Sequence, residues 1–182
     1  MQESEMHEEH EALPEVEALL EAMTEELELL FERRELDRER LIPVGIHTGG
    51  VWVAQALRER LGLEEPLATL DIGFWRDDFG HKGLPDGGQG SQLPDIENRD
   101  LLLVDDVLMS GRTVRAALNE LFDYGRPRRV LLACLVELPG RELPVQPDAL
   151  GANLALAPGK RIKLDGSGNL RLTLVDTGEV TA

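Results

Sequence analysis

The sequence predicts an α/β fold, with a mostly parallel central sheet and helices packed on both faces. Three observations carry that reading. Short apolar runs alternate with amphipathic segments along the chain, the pattern of strand–helix–strand units. Two of the runs, Leu101–Val104 and Val130–Val136, are unbroken in apolar residues, as strands covered on both faces must be. Clusters of Gly, Asp, Ser and Thr fall just after the apolar runs, where open parallel sheets bind their ligands.

The 182 residues suit one domain with a sizeable core. Residues 1–13 are expected to form a frayed acidic N-terminus, and residues 14–182 a single domain. From Pro14, the residues Val16, Leu19, Leu20, Met23, Leu27 and Leu30 recur at three- and four-residue spacing, which predicts a helix. Pro14 suits its first turn, and the early glutamates oppose the helix dipole. Leu41–Ile46 reads as a strand and Gly50–Gly62 as a helix stopped by its last glycine. Leu67–Trp75 and Arg99–Asp106 read as strands, Arg112–Gly125 as a helix, and Arg128–Leu138 as a strand. Residues 76–98 hold too many Gly, Pro and Asp for core and read as a long loop of the kind that serves as a lid. The chain after Leu138 is irregular. It is expected to form a small cap (138–170), followed by a terminal strand near Leu170–Val175.

The net charge is −16, but residues 1–40 carry 15 Asp and Glu against 4 Arg, while the other 142 residues carry 20 acids against 15 bases. The acidity thus belongs mainly to one segment. The total still argues against a surface that binds nucleic acid throughout. No apolar run approaches the ~20 residues that span a bilayer, and the acidic start lacks the apolar stretch of a signal peptide. The single cysteine, Cys134, excludes an intrachain disulfide and reads as a small buried apolar residue. A cytoplasmic location is expected.

The stretch LLLVDDVLMSGRTV (101–114) carries the chemistry. Two carboxylates, Asp105 and Asp106, end an apolar strand. Ser110, Gly111 and Thr113 then lead into a helix. Free N–H groups at a helix start form an anion cradle, and Gly111 allows close approach of the backbone. A phosphate alone would want no acids beside it. A ligand with a phosphate and vicinal hydroxyls would, because carboxylates accept hydroxyl hydrogen bonds. A ribose 5-phosphate has that form. HTGG (47–50), between a strand and a helix, reads either as a second anion nest or as a plain turn.

LLLVDDVLMSGRT resembles the 5-phosphoribosyl-1-pyrophosphate (PRPP) signature of type I phosphoribosyltransferases. With VGIHTGGVWVA, FWRDDF, DYGRP and RELPVQPDALGANL, the chain over residues 40–155 resembles the PyrR family of pyrimidine operon attenuation proteins and uracil phosphoribosyltransferases. The resemblance implies the type I fold with a mobile loop and a C-terminal hood. It implies that Asp105 and Asp106 hold the ribose hydroxyls while Val107, Leu108, Met109, Ser110, Gly111, Arg112 and Thr113 surround the 5-phosphate. His47, Thr48 and Gly49 would form the pyrophosphate loop, which carries an unusual peptide bond in the family. Arg76, with Asp77 and Asp78, would open the mobile loop and act in catalysis. Val136 and Arg141 would lie near the base, and Arg126, Arg128 and Arg129 are the candidates for RNA contact, although they equally suit a solvated turn.

The implied reaction joins uracil to the ribose 5-phosphate of PRPP, giving UMP and pyrophosphate, with Mg²⁺ carried by PRPP instead of a protein cage. Pyr leader RNA and a homodimer or larger homo-oligomer are the implied partners. Two departures stand out. The family's Lys-Thr-Arg-Gly is His47-Thr48-Gly49-Gly50 here, and its Asp-Arg-Gly-His before Arg-Glu-Leu-Pro is Glu137-Leu138-Pro139-Gly140. Two fixed positive charges leave the pyrophosphate loop, which motivates a second reading: a weakly catalytic or non-catalytic sensor of PRPP or UMP, including an RNA-binding attenuator. Lysine is scarce, which weakens a broad phosphate-binding face.

Overall fold

The computed structural model describes residues 12–73, 90–166 and 168–177. In chain order the elements are α1 (Val16–Arg34), β1 (Ile42–Ile46), α2 (Gly49–Leu61), β2 (Ala68–Leu70), β3 (Asp100–Leu108), α3 (Arg112–Tyr124), β4 (Arg129–Glu137), β5 (Ala149–Asn153), β6 (Lys160–Asp165) and β7 (Arg171–Asp176). Among the described residues, β1 to β5 form one sheet in the order β2-β1-β3-β4-β5, with every pair parallel. The last two strands form a separate antiparallel hairpin.

Strand periodicity divides the core in two. Leu102 and Val104 of β3, with Leu131, Ala133 and Leu135 of β4, face one side, where Val16–Phe31 of α1 and Val53–Leu61 of α2 cover them. Leu101 and Leu103, with Leu132 and Cys134, face the other side, beneath Val114, Ala117 and Leu121 of α3. Successive strand side chains point to opposite faces, so an unbroken apolar run is required to fill both layers. Helix α2 lies very close to the sheet. A Cβ on Gly45 would come within 2.5 Å of the Val51 Cα, and one on Gly50 within 2.5 Å of the Val104 carbonyl oxygen.

Several elements differ from the sequence expectation. The strand expected over 67–75 ends at Leu70, and its edge is met at Thr69 by Gln92, which exchanges two backbone hydrogen bonds with it. Strand β3 continues past the acids to Leu108, because β4 extends far enough to pair Val107 with Val136 and Leu108 with Glu137. Strands β5 and β6 arise from segments read as irregular. The region expected to form the hood divides accordingly: residues 138–148 back the β3–α3 turn, β5 joins the main sheet, and β6 joins the hairpin. The hairpin places Leu164 and Leu172 in the α1–α2 core. Gly166 lies flat on the Trp52 ring, leaving its own Cβ position only 2.3 Å from the indole. Cys134 is fully buried, and burial, then the nearby Asp105 charge, pushes its thiol pKa well up. No helix among the described residues is long and apolar enough to cross a membrane. The reading of residues 1–13 as frayed falls largely outside the described residues.

Candidate functional site

Strand order reverses direction at β1. Strand β2 lies on one side of it and β3 on the other, so the crevice of a parallel sheet opens between the carboxyl ends of β1 and β3. The chain turns into α2 directly after β1 and into α3 directly after β3, and these helices cover opposite faces. Both begin without help from their own N-cap side chains: Thr48 for α2 and Gly111 for α3. A helix start with unsatisfied N–H groups favours an anion. Here two such starts flank one crevice.

The turns themselves have special backbones. The His47–Thr48 peptide bond is cis, and the His47 N–H donates to the Leu70 carbonyl at 2.9 Å. Gly111 has φ 89°, a left-handed conformation that glycine adopts without the usual Cβ penalty. The Arg112 N–H donates to the Ser110 Oγ at 3.2 Å.

The acids lie between the two turns. Asp105 is 2% exposed, and its Oδ1 accepts the Asp106 N–H at 2.9 Å. Asp106 is half-buried, and its Oδ1 accepts the Val107 N–H at 3.0 Å. The Asp106 carboxylate packs against the first residue of α2: a Cβ on Gly49 would lie 2.1 Å from Asp106 Oδ2 and 2.5 Å from its Cγ. The two predicted site loops therefore meet at this contact. Gly49 leaves the room that the carboxylate fills.

Other predicted residues are placed as follows. Met109 is exposed at the turn, and Arg112 pairs with Glu142, its Nε 2.8 Å from Oε2. Val136 is fully buried on β4. The Arg141 guanidinium bonds the Glu137 carboxylate and the carbonyls of Met109 and Val145. Arg128 and Arg129 lie at the opposite end of the sheet, each forked onto Asp100. Burial alone would raise the Asp100 pKa, but the two guanidinium groups outweigh it and hold the value at about 2. The Arg126 N–H donates to Glu97 at 2.9 Å. Arg76, Asp77 and Asp78 lie outside the described residues. The chain leading toward and away from that segment is pinned, because the Asp71 N–H donates to Ser91 Oγ, which in turn reaches Glu120. Sequence reasoning assigned no role to Glu137, Glu142 or Ser91. The four-residue spacing of Glu137 and Arg141 is the signal that could have revealed that pair.

Two helix starts beside a carboxylate pair, at the point where the sheet switches direction, suit a ligand with both anionic groups and hydroxyls. The comparisons agree with that geometry. The phosphoribosyl transferase domain matches residues 11–152. A hypoxanthine-guanine phosphoribosyltransferase from Bacillus anthracis shares the fold at a TM-score of 0.62 and 18% identity, over 82% of this chain and 84% of that one. The bifunctional protein PyrR of Pseudomonas fluorescens is 52% identical over 166 residues, covering 91% of this chain and 98% of that protein. That of Pseudomonas paraeruginosa is 53% identical over 162 residues, covering 88% and 94%. The chain belongs to the PyrR family of phosphoribosyltransferases.

Proposed function

We propose that the chain transfers ribose 5-phosphate from PRPP to a ring nitrogen of uracil, giving UMP and pyrophosphate. The observation that supports this most directly is the contact of Asp106 with Gly49. On this reading, hydroxyl acceptors lie between a cradle for the 5-phosphate (107–113) and a nest for the pyrophosphate (47–49). The choice of uracil rests on the relationship to PyrR.

The bond from C1′ to pyrophosphate breaks, the bond from C1′ to nitrogen forms, and the nitrogen loses its proton. Positive charge builds on the sugar ring as the pyrophosphate leaves. Asp105 and Asp106 accept the ribose hydroxyls and place negative charge near that ring, so the residues contribute by orientation and electrostatics. The backbone N–H groups at the starts of α2 and α3 take the two anionic ends. The site's donors toward a metal are carboxylate oxygens, which fit a hard cation such as Mg²⁺. Bound to PRPP, the ion would neutralise pyrophosphate charge, with Asp105 and Asp106 the residues placed to meet it. Exclusion of water from the reacting C1′ is the role the resemblance gives to the segment that Arg76 opens; its last part, from Ser91 to Asn98, is instead built into the fold, with Gln92 on Thr69 and Ile96 in the core.

The assay is UMP formation from uracil and PRPP with Mg²⁺. Turnover with uracil supports the reading. Use of hypoxanthine, guanine or orotate in its place would change the base, and no turnover with any of them would overturn it. Binding of PRPP or UMP by calorimetry without turnover would leave a sensor. A regulatory role through pyr leader RNA is the second reading, motivated by the word bifunctional in the relatives' name. A gel shift at low salt, where phosphate contacts are strongest, tests it. Light scattering tests the proposed homo-oligomer.

A further inference from the structure

The segment after β4 was expected near the base, yet its hydrogen bonds run to the phosphate turn. The Arg141 Nε donates to the Met109 carbonyl at 3.0 Å. Its Nη1 donates to the Val145 carbonyl, and its Nη2 to Glu137 Oε1. The next two residues continue the pattern. The N–H groups of Glu142 and Leu143 both donate to the Ser110 carbonyl, at 3.0 and 3.1 Å. The side chains of Leu143 and Val145 come within 3.4 Å of the position a Cβ would take on Gly111. So the carbonyls of Met109 and Ser110 both point away from the cradle, toward this strap. A peptide whose carbonyl is held on one side presents the following N–H on the other.

We infer that Arg141 is a positioning residue for the phosphate turn: it fixes the Met109–Ser110 peptide so that the N–H groups of Ser110 and Gly111 face the 5-phosphate. Glu137, at the carboxyl end of β4, anchors the guanidinium to the sheet, and both side chains are about one-quarter exposed. The pair therefore links the rigid sheet to the turn. The inference rests on residues 107–113 being the ribose-phosphate cradle but not on the identity of the base. A planar guanidinium is needed, because three acceptors in different directions must be met at once. Lysine supplies one charge without the fork. Glutamine at 141 lacks both the charge and the fork.

The test uses the full chain and ribose 5-phosphate as probe, by calorimetry, beside steady-state kinetics with uracil and PRPP. Arg141→Gln is expected to weaken ribose 5-phosphate about tenfold and to raise the KM for PRPP by a similar factor. The KM for uracil should stay within about twofold. Arg141→Lys should restore part of the loss. A charge swap, Glu137→Arg with Arg141→Glu, should not restore it, because a glutamate cannot donate to the carbonyls of 109 and 145. A raised KM for uracil with ribose 5-phosphate affinity unchanged would overturn the inference and return Arg141 to the base. Rescue by the charge swap would overturn it too. If Arg141→Gln lowers the melting temperature enough to prevent measurement, Arg141→Lys and Glu137→Gln decide it, and unchanged ribose 5-phosphate affinity in both would sink it. Binding of ribose 5-phosphate without UMP formation, weakened by Arg141→Gln, would uphold the inference while removing uracil as substrate.

Discussion

Strand β3 buries two acids, one at its foot and one towards its head, and the two are handled in opposite ways. At its foot Asp100 is 6% exposed and receives two guanidinium forks, from Arg128 and Arg129. At its head Asp105 is 2% exposed, with the Asp106 N–H on its Oδ1, and leads to Asp106 beside an open crevice. A buried carboxylate is costly unless hydrogen-bonded and paired. The foot answers that cost inside the fold, with Arg129 of β4 and Arg128 just before it. At the head the acids take backbone N–H groups instead, and Asp106 packs against Gly49 at the start of α2. On the proposed function, one strand separates a charge that serves stability from charges that serve chemistry, and variants at the two places should sort the same way.

The largest effect is expected at the head. Asp105→Asn combined with Asp106→Asn should lower kcat/KM for UMP formation roughly a thousandfold, because hydroxyl acceptors and negative charge near the sugar are lost together. The melting temperature should move by no more than a few degrees, since Asn keeps the shape and one acceptor oxygen. A variant that unfolds instead would make the head a structural site like the foot, and the contrast would fail.

Next comes Gly49→Ala. The added methyl would meet Asp106 Oδ2 at 2.1 Å, so the carboxylate or the start of α2 must shift. A displacement on the order of 1 Å at such a site costs about a hundredfold. Activity assays beside circular dichroism check this: a folded variant with its PRPP turnover intact would show that the Asp106 position is not critical.

How much of this could be read from sequence follows from where the information lies. The acids, the cradle and the alternation of elements are local patterns, so 101–125 were legible as strand, turn and helix. The contact of Gly49 with Asp106 was not, because it depends on how close α2 packs to β3, which Gly45 and Gly50 set from different elements. Strand β5, ALGAN, is short and half-buried, and has few of the branched or aromatic residues that mark strands. Strand β6, KRIKLD, is mostly charged and exposed, and is a strand because β7 pairs with it. Arg141 was legible as a residue near the site, but its partners were not. Two of its acceptors are main-chain carbonyls, which leave no mark on the side-chain pattern.

At the foot, Asp100→Asn is expected to lower stability by about 2 kcal/mol, the scale of lost hydrogen bonds to charged groups, with kcat unchanged. The pH dependence has a defined sign. The folded pKa lies at about 2, held, against the effect of burial, below the usual aspartate value of 3.8 by the two guanidinium groups. The stabilisation is therefore present in full above the unfolded value and fades as pH falls from about 4 toward 2. Urea unfolding across that window should show the wild type losing a component of stability that the variant lacks. Parallel curves for the two proteins would mean that the forks on Asp100 contribute nothing.

The smallest effect is expected at Arg128, and it bears on the regulatory reading. Its side chain is 53% exposed, whereas that of Arg129 is 32% exposed and also donates to the Arg34 carbonyl at 3.3 Å. Losing Arg128 leaves Asp100 one fork, so Arg128→Gln should destabilise less than Arg129→Gln, and both less than Asp100→Asn. Because the two guanidinium groups share one carboxylate, their effects should not add. The forks of both arginines are engaged on Asp100, so contact with an RNA phosphate would require giving up that pairing. Leader-RNA affinity in Arg128→Gln should stay within about twofold of wild type at low salt, where a lost phosphate contact would register most strongly. A larger drop with the fold intact would place RNA at the foot of the sheet, and that end of β3 would then serve function as well as stability.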